Sequence, residues 1–213
     1  HTFNPAVDPK LLDFTPPSVA FLQSQLDDTQ PWRLTSFDDA ENEKVLNANS
    51  AMRYGIEDIR GYDSIIPKQY VAFMKRIHPQ GELLYNRIAP IYSELGGQRN
   101  DAALDNPLLH LLGARYVVAT QPISNTGYSL VYDDEVKIYE NANAFPRAFI
   151  AQEAVAAANQ EAALDRLQQV DARNVVVVEG LAESDLPPPS SPQIREVQFS
   201  SRENREFFID VNI

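Results

Sequence analysis

Apolar and polar positions follow two rhythms along this chain, and each rhythm marks a class of element. Val19, Leu22 and Leu26 recur at helical spacing after Thr15-Pro16-Pro17-Ser18. The hydroxyls of that string suit capping and its prolines suit a first turn, so a short helix is predicted there. Residues 32–37 (WRLTSF) read as a strand, and 38–47 as a polar, acidic connection. A second helix is predicted from Pro67, with Tyr70, Met74 and Ile77 on one stripe and Val71 and Phe73 beside it, stopped by His78-Pro79-Gln80-Gly81. Asn106-Pro107-Leu108-Leu109-His110-Leu111-Leu112-Gly113 has a capping Asn, a Pro at the first position and a Gly at the exit, and predicts a short buried helix.

The second half of the chain switches to period two and back. Residues 115–120 (RYVVAT) read as a strand, and 128–132 with 136–139 as a hairpin turning through Asp133-Asp134-Glu135. Residues 147–151 add a further strand. Asn159 caps a helix whose Ala163, Leu164, Leu167 and Val170 form an apolar stripe, and 174–179 (NVVVVE), by its β-branched run, predicts a fully buried strand. The expectation is an α+β fold: a mixed, mostly antiparallel sheet with packed helices, followed by the start of a small β element. Three parts follow from the composition. Residues 1–186 form the α+β domain, and the proline-rich 187–192 form a semi-rigid spacer. Residues 193–213 hold a hairpin built from 194–199 and 207–213. Phe207, Ile209, Val211 and Ile213 alternate strictly and then stop without a polar tail. Since a two-stranded hairpin is marginal alone, the natural protein is expected to continue past Ile213. No internal repeat occurs.

Composition narrows the function classes. Hydrophobic residues make up 44% and charged residues 23% of the 213 positions, enough to bury a core. The 18 Lys and Arg against 30 Asp and Glu give a net charge of −12. That balance disfavours nucleic acid and anionic membrane surfaces, whose phosphates require clustered cations. No apolar run approaches the roughly 18 residues of a spanning helix. Without Cys, disulfides, thiolate nucleophiles and Cys-ligated metals are excluded.

The search for reactive constellations is mostly negative. Phosphate-loop, dinucleotide, zincin, nucleophile-elbow and calcium-loop spacings are absent, so no cofactor, metal or catalytic residue is assigned. His110, inside LLHLLG, reads as a helix histidine; with His78 it falls short of a zinc ligand set. The pairs Asp27-Asp28, Asp38-Asp39 and Asp133-Asp134 read as solvated turns. The stretch from Tyr54 to Ser64 is the most informative, because it concentrates rings, a fixed cation and carboxylates in a segment without periodicity. Tyr54, Asp58, Arg60, Tyr62 and Asp63 are therefore candidates for sugar recognition, in which rings cover apolar sugar faces and charged groups meet hydroxyls. The same residues admit a structural reading, in which Arg60 pairs with Asp58 or Asp63 and holds the loop to the core. Glu57 and Asp58 do not read as an acid/base couple, because adjacent side chains point apart. Arg147, flanked by apolar residues, needs a partner if buried, and Glu140 is the nearest candidate for an architectural ion pair.

Three separated strings, NANSAMRYGIEDIRGYDSIIPKQY, NPLLHLLGARYVVAT and KIYENANAFPRAF, resemble in this order and at these distances the extracytoplasmic segment of the YfhO family of bacterial polytopic membrane proteins. Arg60-Gly61-Tyr62-Asp63-Ser64 and Tyr139-Glu140-Asn141 with Pro146-Arg147-Ala148-Phe149 are the most specific pieces, and Phe3-Asn4-Pro5 looks like the stretch that follows a membrane helix there. The likeness runs from about Phe3 to Val178. It implies a soluble extracytoplasmic accessory domain, at the outer face of the bacterial cell membrane, of an integral protein similar to lipid-linked-sugar glycosyltransferases of the GT-C type. Its implied partners are its own transmembrane portion and a cell-envelope glycan or polymer acceptor. Catalytic carboxylates in such transferases lie on loops of the membrane-embedded part, so none carries over. Two alternatives stand beside this expectation: a structural or protein-interaction module without ligand, and an independent carbohydrate-active enzyme.

Overall fold

A computed structural model describes residues 13–38, 46–79, 87–88, 91–189, 196–203 and 206–212. Parts of the polar connection, of the Pro-rich spacer and of the helix stop at 78–81 lie outside these, as do Phe3-Asn4-Pro5 and Ile213. Helix α1 is Pro17–Ser24, followed by strand β1 (Arg33–Phe37), a 3-10 turn at Ser50–Tyr54, β2 (Gly61–Tyr62), α2 (Lys68–Lys75) and β3 (Arg87–Ile88). Next come β4 (Glu94–Leu95), β5 (Gln98–Arg99), α3 (Pro107–Leu111), β6 (Ala114–Ala119), β7 (Tyr128–Asp133) and β8 (Lys137–Asn141). The chain then forms β9 (Glu153–Ala157), α4 (Gln160–Leu167), β10 (Val175–Glu179), β11 (Glu196–Glu203) and β12 (Glu206–Asn212).

The fold is α+β. Its centre is a four-stranded sheet in the order β1-β6-β8-β7, with β1 parallel to β6 and the other two pairs antiparallel. Alternation along β6 sends residues to two different cores. Val117 and Ala119 join Phe37, Met74, Ile77, Leu108 and Leu109 on the face covered by α2 and α3. Tyr116 and Val118 join Leu34, Ile138, Val19, Leu22 and Ala51 on the face covered by α1 and the 3-10 turn. Strands β1, β6 and β8 are thus a middle layer, buried on both sides, while the edge strand β7 is mostly exposed.

Of the four α-helix starts among the described residues, two follow their expected residues; in α2 Pro67 is the cap residue and not the first helical position, and α1 also departs. The Asn106 side chain accepts from Leu108 N–H at 3.0 Å, and Asn159 from Ala162 N–H at 3.0 Å, each filling an orphan donor of a first turn. In α1 the cap position is Pro16, without a side-chain cap, and the Ser18 N–H instead donates to Glu135 Oε1 at 2.7 Å. The carboxylate of the β7–β8 turn thus takes the place of the expected hydroxyl. Gly113 leaves α3 at φ +68, the left-handed geometry that turns the chain sharply into β6.

Two strand expectations need correction. Residues 147–151 form no strand. Behind Pro146 the chain is irregular, with the Arg147 side chain drawn across to Glu57, and the next strand is β9 at Glu153–Ala157. The valine run of β10 is not fully buried. Among the described residues it pairs only with β9, in parallel, and Val176 is 46% exposed. β11 and β12 form the expected antiparallel hairpin, with a bulge between Phe199 and Ser201.

Candidate functional site

The segment 54–63 crosses the rim of the sheet and divides there. A parallel bridge joins Leu34 to Asp58, with Leu34 N–H donating to Glu57 O at 2.7 Å and Ile59 N–H to Leu34 O at 2.9 Å. Glu57 and Asp58 leave this bridge in opposite directions, which fixes two different ionic clusters.

Asp58 turns inward. Its carboxylate takes Arg60 Nε at 3.1 and 3.2 Å and Nη2 at 2.7 Å, a two-pronged pair in which both side chains are nearly inaccessible. Arg60 Nη1 also donates to Ser36 Oγ at 2.5 Å and lies 3.7 Å from Asp38. Burial pushes the Asp38 carboxyl up from its ordinary value, against the pull of Ser36 and Arg60. This is the structural alternative foreseen for Arg60, with Asp58 and not Asp63 as its partner.

Glu57 turns the other way and binds two cations. Arg147 Nη2 hydrogen-bonds its carboxylate, and Arg33 Nε lies 3.6 Å from it while Arg33 Nη1 donates to Leu112 O at 2.9 Å. Burial, with the neighbouring Arg147 charge, lowers the Arg33 pKa. The expected Glu140–Arg147 pair is therefore not the one formed. Glu140 sits beside Arg115, accepting from Nε at 2.9 Å with Nη2 2.8 Å away, because β6 and β8 place Tyr116 opposite Glu140 and bring Arg115 within reach. Sequence distance misled here: Glu57 lies 90 positions from Arg147.

Arg147 and Glu140 nevertheless share a cleft of about 390 Å³, lined also by Trp32, Arg115, Asn141 and Phe145. Its charged lining is the Arg115–Glu140 pair and Arg147, and ring and proline surface lines it as well. A second cleft of about 500 Å³ is lined by Arg33, Asp58, Arg60, Tyr70 and Leu112. There the Tyr70 hydroxyl donates to Ile59 O, and burial holds its pKa above the ordinary value.

The five loop candidates are not brought together. Asp58 and Arg60 line the second cleft. Tyr54 is half-buried against the α1-side core, and its hydroxyl donates to Phe14 O at 3.4 Å. Tyr62 is 52% exposed, and its backbone is held by the Asn49 side chain through bonds of 2.6 and 3.2 Å. Asp63 is exposed and accepts from Ile65 N–H at 3.2 Å. Reasoning from sequence missed Arg115, whose place in RYVVAT at the start of a strand gave no signal apart from its charge.

Both internal histidines are held neutral by geometry. Asn100 Nδ2 donates to Tyr92 O at 3.1 Å and meets His78 Nδ1 at 2.8 Å; Asn141 Nδ2 donates to Ala114 O at 3.1 Å and meets His110 Nδ1 at 3.1 Å. The carbonyl contact fixes each amide nitrogen as donor, so each ring nitrogen must accept, which a protonated imidazole cannot do. Burial lowers both pKa values in agreement. Among the described residues no group of His, Asp and Glu forms a metal site, and no helix is long and apolar enough to cross a membrane. No family model, no curated protein and no solved structure matches this chain.

Proposed function

We propose that this chain is a non-catalytic recognition domain: an extracytoplasmic accessory module of a membrane-embedded, glycosyltransferase-like protein that holds a cell-envelope glycan or polymer acceptor. One observation carries the recognition site, and it moves the site away from Tyr62. The cleft below Phe145 and Pro146 presents the Arg115–Glu140 pair and the Arg147 side chain of the Arg147–Glu57 pair on one surface. Paired cations and carboxylates offer fixed donors and acceptors with little net charge, and sugar hydroxyls are both donor and acceptor. The ring and proline surface beside them suits the apolar face of a sugar. The membrane setting rests on the resemblance of the three strings to the YfhO family. Asp58 and Glu140, the carboxylates that line the two clefts, and Glu57, the partner of Arg147, are each engaged by arginine, which supports binding over acid/base chemistry.

The test is an NMR titration of the labelled chain with neutral gluco-oligosaccharides and, separately, with poly(glycerol phosphate). The expected result is shifts at the amides of Arg115, Glu140 and Ala148, at least tenfold weaker binding for Arg115→Ala, and no change for Tyr62→Ala. Shifts that stay away from the cleft, or binding indifferent to Arg115→Ala, would sink the reading.

A second reading has its own observation. Met52 at 72%, Ile65 at 82% and Tyr62 at 52% exposure crowd one loop region, since Asn49, which opens the 3-10 turn carrying Met52, clamps Tyr62. Such an apolar patch suits docking onto the protein's own transmembrane portion. In that case Met52→Lys with Ile65→Lys leaves glycan binding intact and weakens association with the membrane part.

A further inference from the structure

The β9–α4–β10 unit is half of a sheet. In parallel pairing, a residue aims both its N–H and its C=O to the same side. Glu153 N–H bonds Asn174 O at 3.1 Å and Gly180 N–H bonds Ala157 O at 3.3 Å. These contacts fix the phase of the whole pair. Glu153, Val155 and Ala157 face β10; Ala154 and Ala156 face away from it. In β10, Val176 and Val178 face β9, so Val175, Val177 and Glu179 present their backbone groups to the opposite edge.

The two edges are treated differently. On the β9 side a side chain reaches the middle of the edge: Ala156 N–H donates to Glu183 Oε2 at 3.0 Å. On the β10 side only the first donor is used, Val175 N–H bonding Asp171 O at 2.9 Å. Among the described residues no strand pairs with that edge. The C=O of Val175, both groups of Val177 and the N–H of Glu179 stand in a row at two-residue spacing. The edge carries none of the devices that blunt such rows: no Pro, no Lys, no bulge.

An apolar groove of about 540 Å³ is lined by Val175, Val176 and Val177 of β10 and by Ala163, Leu164 and Leu167 of α4, with Phe149 and Leu111 of α3 also on its wall. Exposed Glu179 ends β10, and Glu161 lies in the first turn of the antiparallel α4, so carboxylates gather at the end away from Phe149.

We propose that the open edge of β10 is a strand-addition site for an extended peptide segment with apolar side chains at alternate positions and a Lys or Arg at the end that reaches Glu179. Only another strand satisfies alternating donors and acceptors at this spacing, and alternate side chains of that strand drop into the groove. The carboxylates select a basic terminus, and a net charge of −12 favours a cationic partner over a second copy. This site is separate from the glycan cleft, and its failure would leave that reading intact.

The experiment titrates the labelled chain with a synthetic peptide of about eight residues, alternating Val and Thr with one terminal Lys, a length that spans one strand. The expected result is slowed hydrogen exchange at the Val177 and Glu179 amides, and loss of binding when alternate peptide nitrogens are methylated. Glu179→Lys should weaken binding at least tenfold and restore it for a peptide ending in Glu. Val177→Pro should remove the central donor, with circular dichroism reporting whether the fold survives. Three outcomes would each overturn the proposal: no protection at millimolar peptide, equal binding of the methylated peptide, or protection of the same amides by the chain alone as its concentration rises, which would mean self-pairing.

Discussion

Two runs of valine in this molecule meet opposite fates. In β6, Val117 and Val118 are 0% and 3% exposed, whereas in β10 Val176 is 46% exposed. Propensity does not distinguish them. β6 has a strand on each side and a helical layer on each face; among the described residues β10 has one strand neighbour, and α4 on one face. A β-branched run therefore reports fitness for a pleated surface, while its burial is decided by how many neighbours the topology supplies. The central sheet positions the clefts, whereas the β9–α4–β10 unit has, among the described residues, one edge of β10 without a paired strand.

The largest expected effect lies in the buried cluster of the central body. Arg60→Ala leaves Asp58 enclosed without its cation and should cost about 3–5 kcal/mol in urea unfolding. Asp38→Asn should cost less than Asp58→Asn, because burial has already pushed the Asp38 carboxyl toward its neutral form. A loss for Arg60→Ala no larger than that of an exposed pair would break the view of this cluster as the anchor of the loop.

Leu109→Ala opens a cavity in the core, where Leu109 is 0% exposed, and should cost about 2–5 kcal/mol. Acidification acts on the same body more gradually. His78 and His110 have lowered folded-state pKa values, so below about 6.5 the unfolded chain binds protons that the folded chain refuses. Stability is then full above that pH and declines as pH falls below it. A denaturant midpoint that stays flat or rises between pH 6.5 and 5.5 would contradict the neutral, accepting imidazoles.

Asn159→Ala removes the cap of α4 and should cost about 1 kcal/mol. Hydrogen exchange sharpens the comparison, because the loss should appear in α4, β9 and β10 while β6 amides keep their protection. The smallest effect is expected from Val176→Thr, within about 0.5 kcal/mol, as for surface positions generally. A loss near that of Leu109→Ala would show that something covers the β10 face.

Local signals made much of the fold readable in advance. The caps Asn106 and Asn159, Gly113 after α3, and the period-two runs of β6, β7 and β8 each act within a few residues of where they are written. What escaped was long-range. Strand β9, Glu-Ala-Val-Ala-Ala, has little strand propensity and exists because β10 lies alongside it. The valines of β10 look like a central strand and form an edge. Of the candidate site, the sequence pointed to Arg60 with Asp58 or Asp63 and to Glu140 and Arg147 as charged groups needing partners. It could not distribute those partners, since Arg147 finds Glu57 and Glu140 finds Arg115 only once the sheet has formed.

The order of types along the chain, through turn chemistry, capping and periodicity, was enough to determine that helices and strands form, roughly where they start, and that they build an α+β domain. Only the tertiary structure decided which strand is central, which carboxylate meets which guanidinium, and where a cleft opens. Those outcomes depend on contacts between residues tens of positions apart, whose energy appears only when the intervening chain has folded.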